Sequence, residues 1–273
     1  MAYETIINKF ATMGAQATVG VDTAPLRPRE SRNRNVDYTI DINESGELGE
    51  TFEVLVAPEA VKDLEITVPF QDKSAKHLVL AFRKGNDYTQ YLCGHDERHW
   101  FVAALPCGVT GVRHAIEMLK PEPVVASQEN HAVRAKKRNK RRNAGFIRQG
   151  EWFFIPAPEM DGRTDIIVHK NEPLTRGSGK PHTAQHLCRT GGETVYVSRQ
   201  HQSGLTEGQY RHEIKVNGAN PAEFRQAQRD ASVFVKGRIT HPDHKTVVLK
   251  GWHRVLANTE TNAPGKEAMR FID

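Results

Sequence analysis

Between Glu129 and Glu151 the chain carries no acidic residue, and inside that gap RAKKRNKRR at 134–142 packs seven cations into nine positions. Like charges at this density repel one another and cannot enter an apolar core. Any fold of this sequence must bring the run to solvent, so the core-forming stretches are confined to what precedes and follows it. The formal net charge is +5, and with the seven cations set aside it becomes −2. The basicity is a property of one segment, and the remainder is near neutral.

Such a segment calls for a compensating polyanion. A phosphate backbone supplies one, and the counterions it releases drive association. Arg134, Lys136, Lys137, Arg138, Lys140, Arg141 and Arg142 are therefore the expected nucleic-acid contacts. The same field would steer an acidic protein partner, and in a eukaryotic source the run would serve as a nuclear-localisation signal.

On either side of the run the apolar pattern is that of short strands. Val36, Tyr38, Ile40 and Ile42 alternate with polar residues, the signature of a half-buried strand. Further strands are expected at 52–56, 64–68, 77–82, 88–93 and 100–105, separated by turn signals such as ESG at 44–46 and KGN at 84–86. Ile6, Ile7, Phe10 and Met13 have helical spacing before Gly14, and 110–119 is a second helix, ended by Pro121 and Pro123. The polar loop 24–35 carries four arginines as a weaker basic patch. A helix over 127–143, capped by Ser127, is expected to be marginal until a polyanion binds it.

Beyond the run, FIRQGEWFFI at 146–155 predicts an apolar aromatic strand pair or bend, with strands at 166–168, 194–197, 233–239, 246–249, 252–256 and 269–272. Helices are expected near 206–216, capped by Thr206, and over 221–230. The fold class is α+β: two mostly antiparallel β-rich halves with a few short helices, joined by a basic linker that is helical or disordered. The expected divisions are 1–120, 121–145 and 146–273.

With 273 residues, 38% of them hydrophobic, the chain can build one large core or two modest ones. It has no apolar run of 18 residues, so no membrane helix is expected. The first 14 residues lack the basic and apolar regions of a secretory signal. Cys93, Cys107 and Cys188 are too few and scattered for a disulfide framework and suit a reducing setting, cytoplasmic or, in a eukaryote, nuclear.

Thirteen histidines are the other chemical resource, and eight lie between His169 and His253. Histidine is a common metal ligand and the natural acid or base near neutral pH. Cys93, His95 and His99 form a C-x-H-x3-H set that would supply three ligands to zinc or another divalent ion. His182 and His186 stand at i, i+4, which aligns their rings only on a helix, and the glutamate of an H-E-x-x-H motif is absent. His241-Pro-Asp-His244 falls at an expected hairpin tip. Together with His253, the residues His182, His186, His241 and His244 are the candidates for a metal-dependent hydrolase or nuclease, in which metal-bound water attacks a phosphodiester. RGSGKPH at 176–182 lacks P-loop spacing but offers Arg176 and Lys180 to an anion.

Aromatics follow the cations closely. Arg148 would extend the phosphate contacts, and Trp152 would stack a base, the elements of single-strand recognition. The leading expectation is a nucleic-acid-binding protein, with RNA favoured over duplex DNA because no zinc-finger, bZIP or helix-turn-helix signature is present. The enzyme alternative is the histidine-based hydrolase, and a third reading is an adaptor that docks an acidic protein.

Overall fold

The computed structural model describes residues 2–22, 36–43, 49–106, 108–175 and 180–262. The loop 24–35, the turn 44–46, Cys107, Arg176 and the strand expected at 269–272 lie outside these. The chain is mixed α+β and strand-rich, with several antiparallel sheets and short helices. It divides into two units, one running up to Asn143 and including the returning segment from Ala257, the other spanning Ala144–Leu256. By this division residues 121–143 fall within the first unit and 144–145 within the second.

The first unit opens with α1 (Ala2–Ala11), whose Ile6 and Phe10 are buried. Gly14 ends it at φ +82°, with Ala15 N–H donating to Phe10 C=O and Gly14 N–H to Ala11 C=O. That pair of bonds is a Schellman cap, which needs a left-handed residue that glycine adopts without strain. The strands β1 (Gln16–Val21), β2 (Tyr38–Asn43) and β3 (Thr51–Val56) form one sheet, with β3 in the middle, parallel to β1 and antiparallel to β2. The parallel edge strand QATVGV has no sequence signal, because Gly20 and small residues blur its alternation.

A four-stranded meander follows: β4 (Glu65–Asp72), β5 (His77–Lys84), β6 (Asp87–Asp96) and β7 (His99–Ala104), each antiparallel to the next. Leu78 to Phe82 are buried at five successive positions because both faces of the sheet are covered. Leu78, Leu80 and Phe82 pack with Phe10, Ile40, Phe52 and Val54, and Val79 and Leu92 pack on the other side with Val112, Ala115 and Leu119. Burial of each large side chain contributes about 1.5–3 kcal/mol.

Helices α2 (Val112–Met118) and α3 (Glu122–Asn130) are separated by Pro121. The expected helix over 127–143 is corrected here: α3 starts at Glu122, with Pro121 as N-cap and Pro123 in its first turn, and stops at Asn130. Proline fits the first helical turn, whose N–H groups have no internal partner. Beyond Asn130, Ala132 takes φ +48° and the basic run continues as a 3-10 turn, Ala135–Lys137, and bends. Stacked like charges at i, i+3 and i, i+4 oppose a continuous helix there.

The run is held by a buried ammonium. Lys120, 6% exposed, donates from Nζ to Glu117 Oε2 (2.8 Å), Asn139 Oδ1 (2.7 Å), Arg138 C=O (3.0 Å) and Gln128 Oε1 (3.4 Å). Fully buried Gln128 donates to the same Arg138 carbonyl at 2.8 Å. Arg141 is ion-paired with Asp96 and Glu97. After the second unit, Thr259 returns to donate from N to Leu119 C=O (3.2 Å) and from Oγ1 to Met118 C=O (2.5 Å), closing the end of α2.

The second unit contains β8 (Ile147–Gln149), β9 (Trp152–Pro156), β10 (His169–Leu174) and β11 (His182–Thr190). Next come β12 (Glu193–Val197), α4 (Glu207–Lys215), β13 (Arg225–Arg229), β14 (Ser232–Thr240) and β15 (Val247–Ala257). Six strands form one sheet in the order β10-β11-β14-β15-β9-β8, while β12 and β13 form a separate ribbon. Thr206 caps α4 in a capping box with Gln209, as its sequence predicts. The helix expected over 221–230 is instead a 3-10 turn and β13: Ala227 is buried opposite Val195, and tertiary pairing overrides the helix propensity of RQAQR.

Replacing Lys120 by Ala removes the buried ammonium and leaves the buried Gln128 oxygen without that donor, and should cost about 1–3 kcal/mol in urea unfolding. Tryptic cleavage within 134–142 should accelerate in parallel. Unchanged proteolysis would mean that the ammonium does not hold the run.

Candidate functional site

Pairing of β11 with β14 sets Thr183 opposite Thr240 and Ala184 opposite Ile239. That register carries His182, at the start of β11, next to His241, the first residue after β14. The Pro242-Asp243 turn then brings His244 back to the same place. The ring centroids lie 4.2 Å apart for His182 and His241, 4.6 Å for His241 and His244, and 5.5 Å for His182 and His244. One ring nitrogen from each lies within 4.8 Å of the other two. The β8–β9 hairpin supports this tip: buried Gln149 donates from Nε2 to Lys245 C=O (2.7 Å) and Ile239 C=O (3.3 Å).

His241 is fixed by its bonds. Its Nδ1 accepts from Asp243 N–H at 3.1 Å, so Nε2 carries the proton and donates to Lys180 C=O at 3.1 Å. The Asp243 carboxylate is in turn bound by Lys180 Nζ at 2.9 Å. His182 differs: it is 1% exposed, and neither ring nitrogen has a hydrogen-bond partner among the described residues. Burial, followed by the neighbouring His241 and His244, pushes its pKa down to about 3. Its ring is neutral at pH 7, the state a metal ligand requires.

The backbone closes in at Gly150, in the two-residue loop of the β8–β9 hairpin at φ +57°. A Cβ there would lie 2.8 Å from His244 Nε2 and 3.4 Å from His182 Nε2. Only glycine suits both the conformation and the space. The roles of Gly150 and Gln149 have no local signature in the sequence. A glycine between two apolar stretches signals the turn, but nothing local signals which rings the turn meets.

Of the five histidines selected by sequence, the structure gathers His182, His241 and His244 and leaves out two. His182 and His186 lie on a strand rather than a helix, so four residues separate them by about 13 Å. His186 faces Lys170 and Lys236 across the sheet. His253 sits opposite Val235, with Nδ1 3.1 Å from Gly251 C=O, and burial lowers its pKa.

The set Cys93, His95 and His99 is not assembled: among the described residues the metal-compatible group is His182, His241 and His244. Cys93 is fully buried among apolar side chains, and burial pushes its thiol pKa up. The His95 ring packs edge-on against Trp100, and His99 Nδ1 is bound to Glu50.

The basic run presents a different surface. Arg141 is ion-paired, Arg138 is half-buried, and Arg134, Lys136, Lys137, Lys140 and Arg142 are exposed. Among the described residues no carboxylate pairs with these five. The exposed large apolar residues lie elsewhere in the sequence, none of them within 129–145. The other expected contacts have surroundings of their own in the second unit. Trp152 is 5% exposed and packs near His182 with ring centroids 6.4 Å apart, so it offers no base a free face. Arg148 is half-buried, its pKa pushed down to about 10 by burial. Lys180 is bound to Asp243.

No family model, characterised protein or solved structure matches this chain. No helix among the described residues is long and apolar enough to cross a membrane.

The depressed pKa of His182 makes a signed prediction for chelator-treated protein. The unfolded chain takes up a proton as pH falls through about 6.5, whereas folded His182 resists until about 3. His182 should therefore contribute a loss of about 1.4 kcal/mol of stability per pH unit as pH falls below about 6.5, and His182→Gln should make the measured slope shallower by that contribution. Urea unfolding from pH 8 to pH 4.5 checks it: parallel curves for the two proteins would contradict the burial of a neutral imidazole.

Proposed function

We propose that this chain binds nucleic acid through the exposed cations of the basic run. The observation that carries the reading is their arrangement. Arg134, Lys136, Lys137, Lys140 and Arg142 reach solvent from a segment fixed at Lys120 and Arg141, with no described carboxylate paired to them. A protein partner is recognised through an apolar centre with a polar rim, and among the described residues the segment 129–145 itself carries no exposed large apolar side chain. Charge alone is on offer, and a phosphate backbone is the partner that charge alone can hold.

RNA or single strands are favoured over duplex DNA. Reading a major groove calls for a helix or a two-stranded ribbon that presents side chains to base edges. Here α3 ends before the cations begin, and the 3-10 turn that follows is three residues long. Phosphate tracking without base readout fits such a surface. The hydrolase alternative rests on other residues, in the second unit, and depends first on whether three of them hold an ion.

The test is fluorescence anisotropy with a labelled single-stranded RNA and a labelled DNA duplex across a potassium chloride series. Five phosphate contacts on RNA predict a log–log salt slope of about −3.5. Changing Arg134, Lys136, Lys137, Lys140 and Arg142 together to Gln should flatten that slope and lower affinity at low salt. Equal affinity in the changed protein would overturn the proposal, as would tight binding to an acidic polypeptide but not to RNA.

A further inference from the structure

We infer that His182, His241 and His244 hold a divalent transition-metal ion, bound by three imidazoles with a further coordination position left to water or an anion. The inference stands apart from the nucleic-acid reading, because it rests on other residues in the other unit.

Convergence is the first ground. Nitrogens from three rings lie within 4.8 Å of one another, and small ring rotations bring such a set to the roughly 2 Å metal–nitrogen bonds of a tetrahedral site. The second ground is independent. His182 is 1% exposed with no hydrogen-bond partner on either nitrogen among the described residues. Buried polar groups are nearly always satisfied, and an exception calls for a ligand, a water or an ion. A single water could serve one nitrogen of His182, yet it would not account for two further imidazoles placed around the same point.

The surroundings also resemble the support that metal-bound histidines receive. A ligating imidazole is oriented by a bond from its other nitrogen to a carbonyl or carboxylate. His241 has that bond, from Nε2–H to Lys180 C=O, which leaves Nδ1 as its lone-pair atom. An ion would displace the 3.1 Å contact from Asp243 N–H without disturbing the bond that aims the ring. The hairpin tip is meanwhile pinned by Gln149. Gly150 lets the backbone pass where any side chain would push into His244.

Donor chemistry selects the ion. Neutral imidazoles suit zinc, copper, nickel or iron, whereas magnesium and calcium prefer oxygen ligands. Among the described residues no cysteine or carboxylate joins the three, and three protein ligands with an open position distinguish exchange-competent zinc sites from closed structural ones. Three neutral ligands leave the ion's double positive charge uncompensated, so the open position should favour hydroxide or an anionic ligand.

The experiment uses the full chain, stripped with chelator and titrated with Co²⁺ by visible absorption and with Zn²⁺ by calorimetry. One equivalent should bind, with the absorption of a low-coordinate Co²⁺ site that Zn²⁺ displaces and Mg²⁺ does not. His244→Gln, altering a half-exposed ring, and His182→Gln should each weaken binding about a hundredfold or more. His186→Ala and His253→Ala should leave stoichiometry and affinity unchanged. Should His182→Gln fail to fold, His244→Gln and the wild-type titration still decide. Absence of saturable binding in the wild type overturns the inference, and so does Zn²⁺ affinity that survives His244→Gln.

Discussion

The first unit depends on how it handles one buried positive charge. Taking an ammonium out of water costs several kcal/mol, a penalty repaid only when its donors are well matched. Lys120 meets a carboxylate, two amide oxygens and a main-chain carbonyl. Two of those acceptors belong to Arg138 and Asn139, inside the basic run. A segment that repels itself is thus tied down by one further cation, which reaches its backbone and an asparagine rather than its charges. The carboxylates Asp96 and Glu97, at the β6–β7 turn, then take Arg141 and spare the outward-facing residues. The result is a fixed surface on which five like charges stay solvated.

The second unit solves a different problem, that of bringing together residues distant in sequence. His182 and His241 become neighbours through strand register, and a one-residue slip between β11 and β14 would turn alternate side chains to the opposite face. The register is protected by burial of Leu187, Val235 and Ile239 along the same strands. Core packing in one part of the sheet therefore holds the imidazoles together at its end.

Several of these elements were legible in the sequence, and the failures have physical causes. The alternation at 36–43 gives β2, the aromatic pair at 146–155 gives β8 and β9, and Thr206 caps α4 as read. Local rules decide such features. β1 escaped because Gly20 and small residues blur its alternation, and β13 because RQAQR favours no strand until a partner supplies the other half of the ladder. Trp152 follows the cations in sequence, which suggests a stacking surface, but its ring is buried within the second unit. The histidines were legible as a resource and not as a site. Nothing local distinguishes His241 and His244 from His186 and His253, since only strand pairing decides which of them meet.

The path of the chain has its own consequence. All of Ala144–Leu256 is inserted into the first unit, whose α2 is completed only when Thr259 arrives. During synthesis the Met118 and Leu119 carbonyls gain their Thr259 donors only from residues made after the entire insert. An insert that folds promptly favours that step, because it replaces a long flexible loop with a compact body and lowers the entropy lost on closure. A folded histidine-bearing unit would in this sense ease the arrival of Thr259 at α2.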